Sequence, residues 1–304
     1  MYISEQEVRA VLNYQSLIPA IRQALIDFSA GLVVQPPRTI LRAGNAEGFN
    51  NGWFAVMPVI AGDVMAVKTV TFYPGNAGLG LHTHMATIEL LRRSTGEPLA
   101  LMDGRVITEM RTAAVSAVAL DALAPAAISS LGILGSGVQA RSHLAALRLV
   151  RPGLRDIRIW SRTAANAERL ANEFGARSVS IEEAAAADVV LTATASPESV
   201  LKGCWLAPHA LVLAVGATGA SLRELDDEAM LGSLVVAESR SAAERESGDV
   251  ILSGSHVEAE IGEILSGSIA APVGRRAVFK SVGMAIEDLT AARLVWQVRG
   301  SVRQ

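Results

Sequence analysis

The sequence has 304 residues, half of them apolar and 19% charged, with a formal net charge of −3. That length suits two domains with cores of their own, and the composition excludes a disordered chain. Mixed charge offers no footprint for nucleic acid and no basic run for a membrane surface, and no apolar run approaches the ~20 residues of a membrane helix.

In chain order, Ser4-Glu5-Gln6-Glu7 is a capping box that opens a short helix. The absence of a basic n-region or apolar core in MYISEQEVRA predicts no secretion signal and a cytoplasmic protein. A second helix is expected over 17–28, stopped by Gly31. Strands are then expected at 38–42, 53–58, 64–72, 86–91 and 99–103. Turn signals separate them: Gly44-Asn45, Asn50-Asn51-Gly52, Pro74-Gly75-Asn76 and Ser94-Thr95-Gly96. Consecutive strands joined by turns predict a mostly antiparallel sheet. An Ala-rich helix over 108–123 follows, and Pro125 marks the change of pattern beyond it.

From there strands (130–134, 155–160, 188–193, 210–214, 234–237) alternate with helices, including 138–149, 164–174 and 183–187. This predicts an α/β fold with a doubly wound parallel sheet of the Rossmann type. The last helix, 283–298, is expected to be amphipathic and to return to the first domain. Residues 1–115 with 283–304 are thus read as an α+β domain, and 116–282 as the dinucleotide-binding domain.

The segment 129–140, SSLGILGSGVQA, carries the sharpest signal. A short apolar strand breaks at Gly135-Ser136-Gly137, and a helix begins at Val138 and Gln139. This is a G-x-G-x-x-A turn: Gly135 for the tight turn, Gly137 for close approach of a pyrophosphate, Ala140 for helix–strand packing. The phosphates would sit at the helix N-terminus. A Gly-rich turn alone also occurs without a ligand, but a second strand and helix follow at the right distance. At the end of that strand, where an acid favours NAD, the sequence reads Ser161-Arg162-Thr163. A guanidinium and two hydroxyls there suit a 2′-phosphate, so NADP(H) is expected, with NAD(H) possible.

Lys68 lies inside the apolar strand VMAVKTVTF, where a buried ammonium must be paired or used. Alternation puts Ala66, Lys68 and Val70 on one face. Arg38 follows Pro36-Pro37, and Arg111 sits in ITEMRTAAVSA. Two arginines and a lysine suit an α-carboxylate. His82 and His84 are spaced H-x-H, so one strand face could hold both, but no further ligands are spaced for zinc, so no metal is assigned and His84 is read as pocket wall. The single cysteine, Cys204, excludes an intrachain disulfide and reads as a small, half-buried apolar residue. Asp226-Asp227-Glu228 reads as the first turn of a helix.

Stretches along nearly the whole chain carry a resemblance: QPPRT (35–39), AVKTVTFYPGN (66–76), LMDGRVITEMRTAAVSA (101–117), ILGSGVQARSH (133–143), IRIWSRTAANAE (157–168), AVGATGASLRELDDE (214–228), ESGDVILSG (246–254) and VFKSVGMAIEDLTAARLV (278–295). With these the chain resembles the ornithine cyclodeaminase/mu-crystallin family. The resemblance implies a homodimer built through the first domain, a Rossmann domain holding NAD(P)(H), and substrate between the domains. It implies that Arg38, Lys68 and Arg111 hold the substrate carboxylate, with Lys68 near the reacting carbon, and that Thr112, Thr194 and Val282 help to line the cofactor site. Phe54, Met57, His84 and the segment after Gly216, with Thr218, are expected to form the wall. Cyclodeaminases of the family carry an aspartate where Thr218 stands, which argues against ornithine cyclisation. The expected activity is NAD(P)H-dependent reduction of a small α-imino acid to an L-amino acid. A cyclodeaminase, an alanine-dehydrogenase-like enzyme and a non-catalytic crystallin-like binding protein are the alternatives.

Overall fold

The computed structural model describes residues 1–44, 52–272 and 274–301. The chain starts with β1 (Tyr2–Ile3), α1 (Glu5–Val11), α2 (Tyr14–Ser29), β2 (Thr39–Arg42), β3 (Trp53–Ala61), β4 (Val64–Phe72), a 3-10 turn (Pro74–Leu79), β5 (His84–Arg92), β6 (Pro98–Asp103) and α3 (Arg105–Leu123). It continues with β7 (Ser130–Leu134), α4 (Val138–Val150), β8 (Asp156–Trp160), α5 (Ala164–Phe174), β9 (Arg177–Ser178), α6 (Ile181–Ala185), β10 (Val189–Thr192), β11 (Leu211–Ala214), α7 (Asp227–Leu231) and β12 (Leu234–Ala237). α8 (Arg240–Glu246), α9 (Gly248–Ser253), β13 (Ala259–Glu260), α10 (Ile261–Leu265), β14 (Ala277–Lys280) and α11 (Ala285–Ser301) complete it. The turn expected at Asn45 and at Asn50-Asn51 lies outside the described residues.

The chain forms two compact units: Met1–Arg111 with the C-terminal stretch from Met284, and Thr112–Gly283. The first is built on a six-stranded sheet of order β1-β6-β5-β4-β3-β2. All its pairs are antiparallel except β1 with β6, a two-residue strand too short for the sequence pattern to show. One face is apolar and covered by α11, which packs on β3, β4 and β5 and against α2. α1 begins as expected, with Ser4 and Glu7 closing the capping box. α2 begins earlier than expected because Asn13 caps it through Ser16 N–H. α11 is not amphipathic. Residues 285–289 are buried on every side, so its acidic first turn faces protein rather than water.

The second unit is an eight-stranded sheet of order β13-β12-β14-β11-β10-β7-β8-β9, parallel throughout. β7 is followed on one side by β8 and on the other by β10, so its C-terminal end is the switch point where such sheets bind ligands. β9, β13 and β14 escape the sequence pattern. β14 is central, but its four residues end in Lys280, which is fully buried. Asp226 caps α7 as the acidic run suggests. Cys204 is exposed, not half-buried, because it sits in a short 3-10 turn.

Candidate active site

In the first unit, Lys68 is 3% exposed and points into the covered face of its sheet. Strand register sets it between Met57 of β3 and Ile88 of β5, both buried. Its Nζ donates to Thr108 Oγ1 at 2.7 Å and to Asp288 Oδ1 at 2.9 Å. Arg111 Nε donates to the same Asp288 Oδ1 at 3.1 Å, and its guanidinium also donates to Glu287 Oε2 at 2.7 Å. Glu287 Oε2 further accepts Met284 N–H at 3.1 Å, and Gln35 Oε1 accepts Ile286 N–H at 2.8 Å, which pins the QPP segment to the start of α11.

Two of the three expected cations are thus already opposed by buried carboxylates of α11. Neither Glu287 nor Asp288 stood out in the sequence, since acids in the first turn of a helix are explained by its dipole. Burial pushes the Lys68 amine down to about 8; Asp288 pulls it up, while Arg111 and Arg38 add to the depression. Burial opposes ionisation of Asp288, but Arg111 and Lys68 outweigh it and hold its carboxyl below the usual range. Arg38, half-buried ahead of β2, acts on this cluster through its charge.

His84 begins β5 opposite Phe72, on the same sheet face as Lys68. Burial, then the charges of Lys68 and Arg111, push its imidazole down to about 4, so it is neutral at physiological pH. His82 precedes the strand, so the two histidines do not share a strand face. Among the described residues no three His, Cys, Asp or Glu side chains group to hold a metal ion. Phe54 does not join Met57 in a wall. The unbroken β3–β4 register sends the two to opposite faces, and it is Trp53 that stacks on Phe72, at 5.8 Å between centroids.

The second unit carries the dinucleotide-type turn. Gly135 has φ +130° and its N–H donates to Trp160 O at 2.8 Å, so the turn is tied to the end of β8. Ser136 and Ser161 hydroxyls lie 2.9 Å apart. A Cβ on Gly137 would meet no atom within 4 Å, so nothing in the protein demands glycine there; the open space suits a ligand. No side chain caps α4, whose first-turn N–H groups (Val138, Gln139) therefore remain for an anion. Val138 is half exposed, and Gln139 Oε1 is buried without a hydrogen-bond partner. Arg162 and Thr163 are exposed beside it, and Thr163 spends no side-chain bond on capping α5. These features fit a dinucleotide.

Glu224, fully buried, organises the ends of β10 and β11. Its carboxylate accepts Thr192 Oγ1 at 2.8 Å, Thr194 N–H and Oγ1 at 2.6 and 2.7 Å, and Gly216 N–H at 2.7 Å. The Thr194 hydroxyl is therefore committed to Glu224. The Lys280 ammonium, also buried, bonds Asp249 at 2.9 Å and Ala217 O at 2.8 Å, immediately before Thr218, which is exposed on the loop after β11. Glu238 accepts the Val282 and Gly283 N–H groups at 3.1 and 2.8 Å. Thr112 is buried on α3. The sequence offers no local sign of these braces; each joins residues far apart in the chain.

A family profile described as ornithine cyclodeaminase/mu-crystallin matches residues 1–301. The chain belongs to the ornithine cyclodeaminase/mu-crystallin family. Within this family it is 43% identical over 305 residues to the ketimine reductase mu-crystallin of Mus musculus, covering 97% of this chain and 96% of that one. It is similar in structure to a Thermococcus litoralis Δ1-pyrroline-2-carboxylate reductase solved with NADH and L-proline, with TM-score 0.92, 33% identity and coverage of 99% and 98%. An archaeal alanine dehydrogenase dimer with bound NAD gives TM-score 0.94 at 27% identity, covering 100% and 97%.

Proposed function

We propose that the chain is an NAD(P)H-dependent reductase that converts a small α-imino acid into an L-amino acid. The observation that carries this is the buried cluster of Lys68 and Arg111 on Asp288 and Glu287, in a chain so similar to a ketimine reductase and a pyrroline-2-carboxylate reductase. Arg38 and Arg111 are assigned to the substrate carboxylate, and Lys68 to a place near the reacting C=N group. Met57 and neutral His84 share the sheet face of Lys68 and can border the substrate; Thr218 is the corresponding proposal on the loop after β11. A bound NAD(P)H supplies the hydride. The first turn of α4, with Gly135, Ser136 and Gly137, would hold its pyrophosphate, and Ser161, Arg162 and Thr163 its ribose end. Thr112, Thr194 and Val282 are assigned to the nicotinamide side; Glu224 holds Thr194 and Glu238 holds Val282.

The loop VGATGAS (215–221) has no carboxylate, which disfavours the cyclodeaminase alternative. Arg162 forms no hydrogen bond or ion pair among the described residues, so a 2′-phosphate can claim it; this supports a preference for NADPH. The test is consumption of NADPH and NADH followed spectrophotometrically with cyclic ketimines and with 2-oxo acids plus ammonia. Imine-dependent oxidation, faster with NADPH, is expected. Absence of turnover with every imine at full cofactor binding would leave the crystallin-like binding protein as the better reading.

The proposed assembly is a homodimer through the first unit. One face of its sheet is covered by α11; the other carries Met85 at 42% and Leu101 at 44% exposure, and on edge strand β2 Ile40 and Leu41 exceed 50%. Large apolar side chains exposed on a sheet face, together with an open edge strand, call for a partner.

A further inference from the structure

The amine of Lys68 has three positions to fill beyond its own carbon, and two are spent. Thr108 Oγ1 gives its proton to Gly104 O at 2.7 Å, as expected one helical turn back, so towards Lys68 it acts as an acceptor. The Asp288 carboxylate, kept ionised by Arg111 and Lys68, is an acceptor as well. Both bonds therefore survive whether the amine carries three protons or two. Only the third position changes, from donor to lone pair.

We propose that Thr108 and Asp288 are positioning residues that hold Lys68 so that its third N–H delivers the proton to the imine nitrogen during reduction. The proposal rests on the reductase reading above. In the step, hydride makes the new C–H bond and the C=N π pair moves to nitrogen. The N–H bond forms there as an Nζ–H bond breaks. Lys68 is left as a neutral amine with its lone pair at the third position, and a proton from water restores it. Beside apolar Met57 and Ile88, the two acceptors fix the direction in which the remaining N–H of the amine points.

The groups that set this proton's affinity come from four directions. α3 supplies Thr108 and Arg111, and α11 supplies Glu287 and Asp288. Arg38 stands before β2, and neutral His84 opens β5. Burial and the two arginines favour loss of the proton; Asp288 opposes them, and the balance near 8 lets both forms exist in neutral solution.

Asp288→Asn keeps an acceptor oxygen and removes the charge. In protein labelled with 15N-lysine, the Lys68 Nζ resonance, assigned by its loss in Lys68→Arg, should titrate near 8 and shift down by about 1–3 pH units in Asp288→Asn. The alkaline limb of kcat should move by the same amount, with NADPH affinity unchanged, and Asp288→Glu should restore it. Thr108→Val should lower kcat at least tenfold, and Thr108→Ser should recover it. A rate lowered equally at every pH, with the Nζ midpoint unmoved, would overturn the proposal. Should the wild type reduce no imine, the reductase reading falls by itself, and an unmoved midpoint would still overturn the role of Asp288.

Discussion

Two residues show how burial converts an ordinary side chain into a specific one. Lys68→Ala should leave NAD(P)H affinity near wild type and lower kcat/KM by orders of magnitude; a variant with near wild-type kcat/KM on any accepted imine would remove Lys68 from the site. The variant should also lose stability, but less than the about 3–5 kcal/mol of orphaning a buried charge, since Arg111 stays on the same Asp288 oxygen. His143 is fully buried, with Nδ1 2.7 Å from Gln139 O and Nε2 2.9 Å from Ser116 Oγ. A carbonyl only accepts, so Nδ1 carries the proton and Nε2 accepts from the serine. Burial, opposed by the Gln139 carbonyl, pushes the imidazole down to about 4. The unfolded chain, titrating near 6.5, then binds more protons between those values, so stability is complete above about pH 6.5 and falls as pH drops through the window. Urea unfolding at pH 5 against pH 7.5 should show a loss of about 2 kcal/mol from this residue, and His143→Gln should remove that share of the pH dependence.

At the scale of elements, the Gly-rich turn and the strand before it are glycines for different reasons. A Cβ on Gly132 of β7 would overlap the Ala184 carbonyl of α6, which is backbone and cannot yield. Gly132→Ala should therefore cost at the upper end of the about 1–3 kcal/mol of overpacking and lower the melting temperature by several degrees. An unchanged melting temperature would show that α6 can withdraw. Arg162, at the end of β8, should decide cofactor choice. A charge-assisted hydrogen bond contributes roughly 1.5–3 kcal/mol, so Arg162→Ala should lower kcat/KM with NADPH by about ten- to a hundred-fold and spare NADH. Equal loss with both cofactors would make Arg162 a structural residue, and a wild-type preference for NADH would refute the 2′-phosphate assignment.

For the whole molecule the test is assembly. The open face of the first unit's sheet should be covered by a second copy, so sedimentation at micromolar concentration should give a dimer. Arg introduced at Met85 or Leu101 should split it into monomers, because a charge on that face would be buried without a partner. A wild-type monomer would contradict the proposed assembly. No helix of the described residues is long and apolar enough to cross a membrane.

The sequence by itself determined what depends on neighbours along the chain. Period-two burial around Lys68, the capping box at Ser4, the G-x-G-x-x-A turn after β7 and the acid-free end of β8 are all local signals, and all were legible. Lys68, Arg38 and Arg111 stand out in the sequence as cations in apolar or helix-entry settings, and the resemblance carried by the motifs implies their role at a carboxylate. The tertiary structure alone decided which charges meet. Asp288 and Glu287 lie more than 170 positions from Arg111, Lys280 at the end of β14 finds Asp249 in α9, and Glu224 gathers the ends of β10 and β11. A carboxylate in a helix's first turn looks the same in sequence whether it faces water or a buried lysine. Only the packing of α11 on the sheet removes the water, and with it the screening that would make those charges interchangeable with any others on the surface.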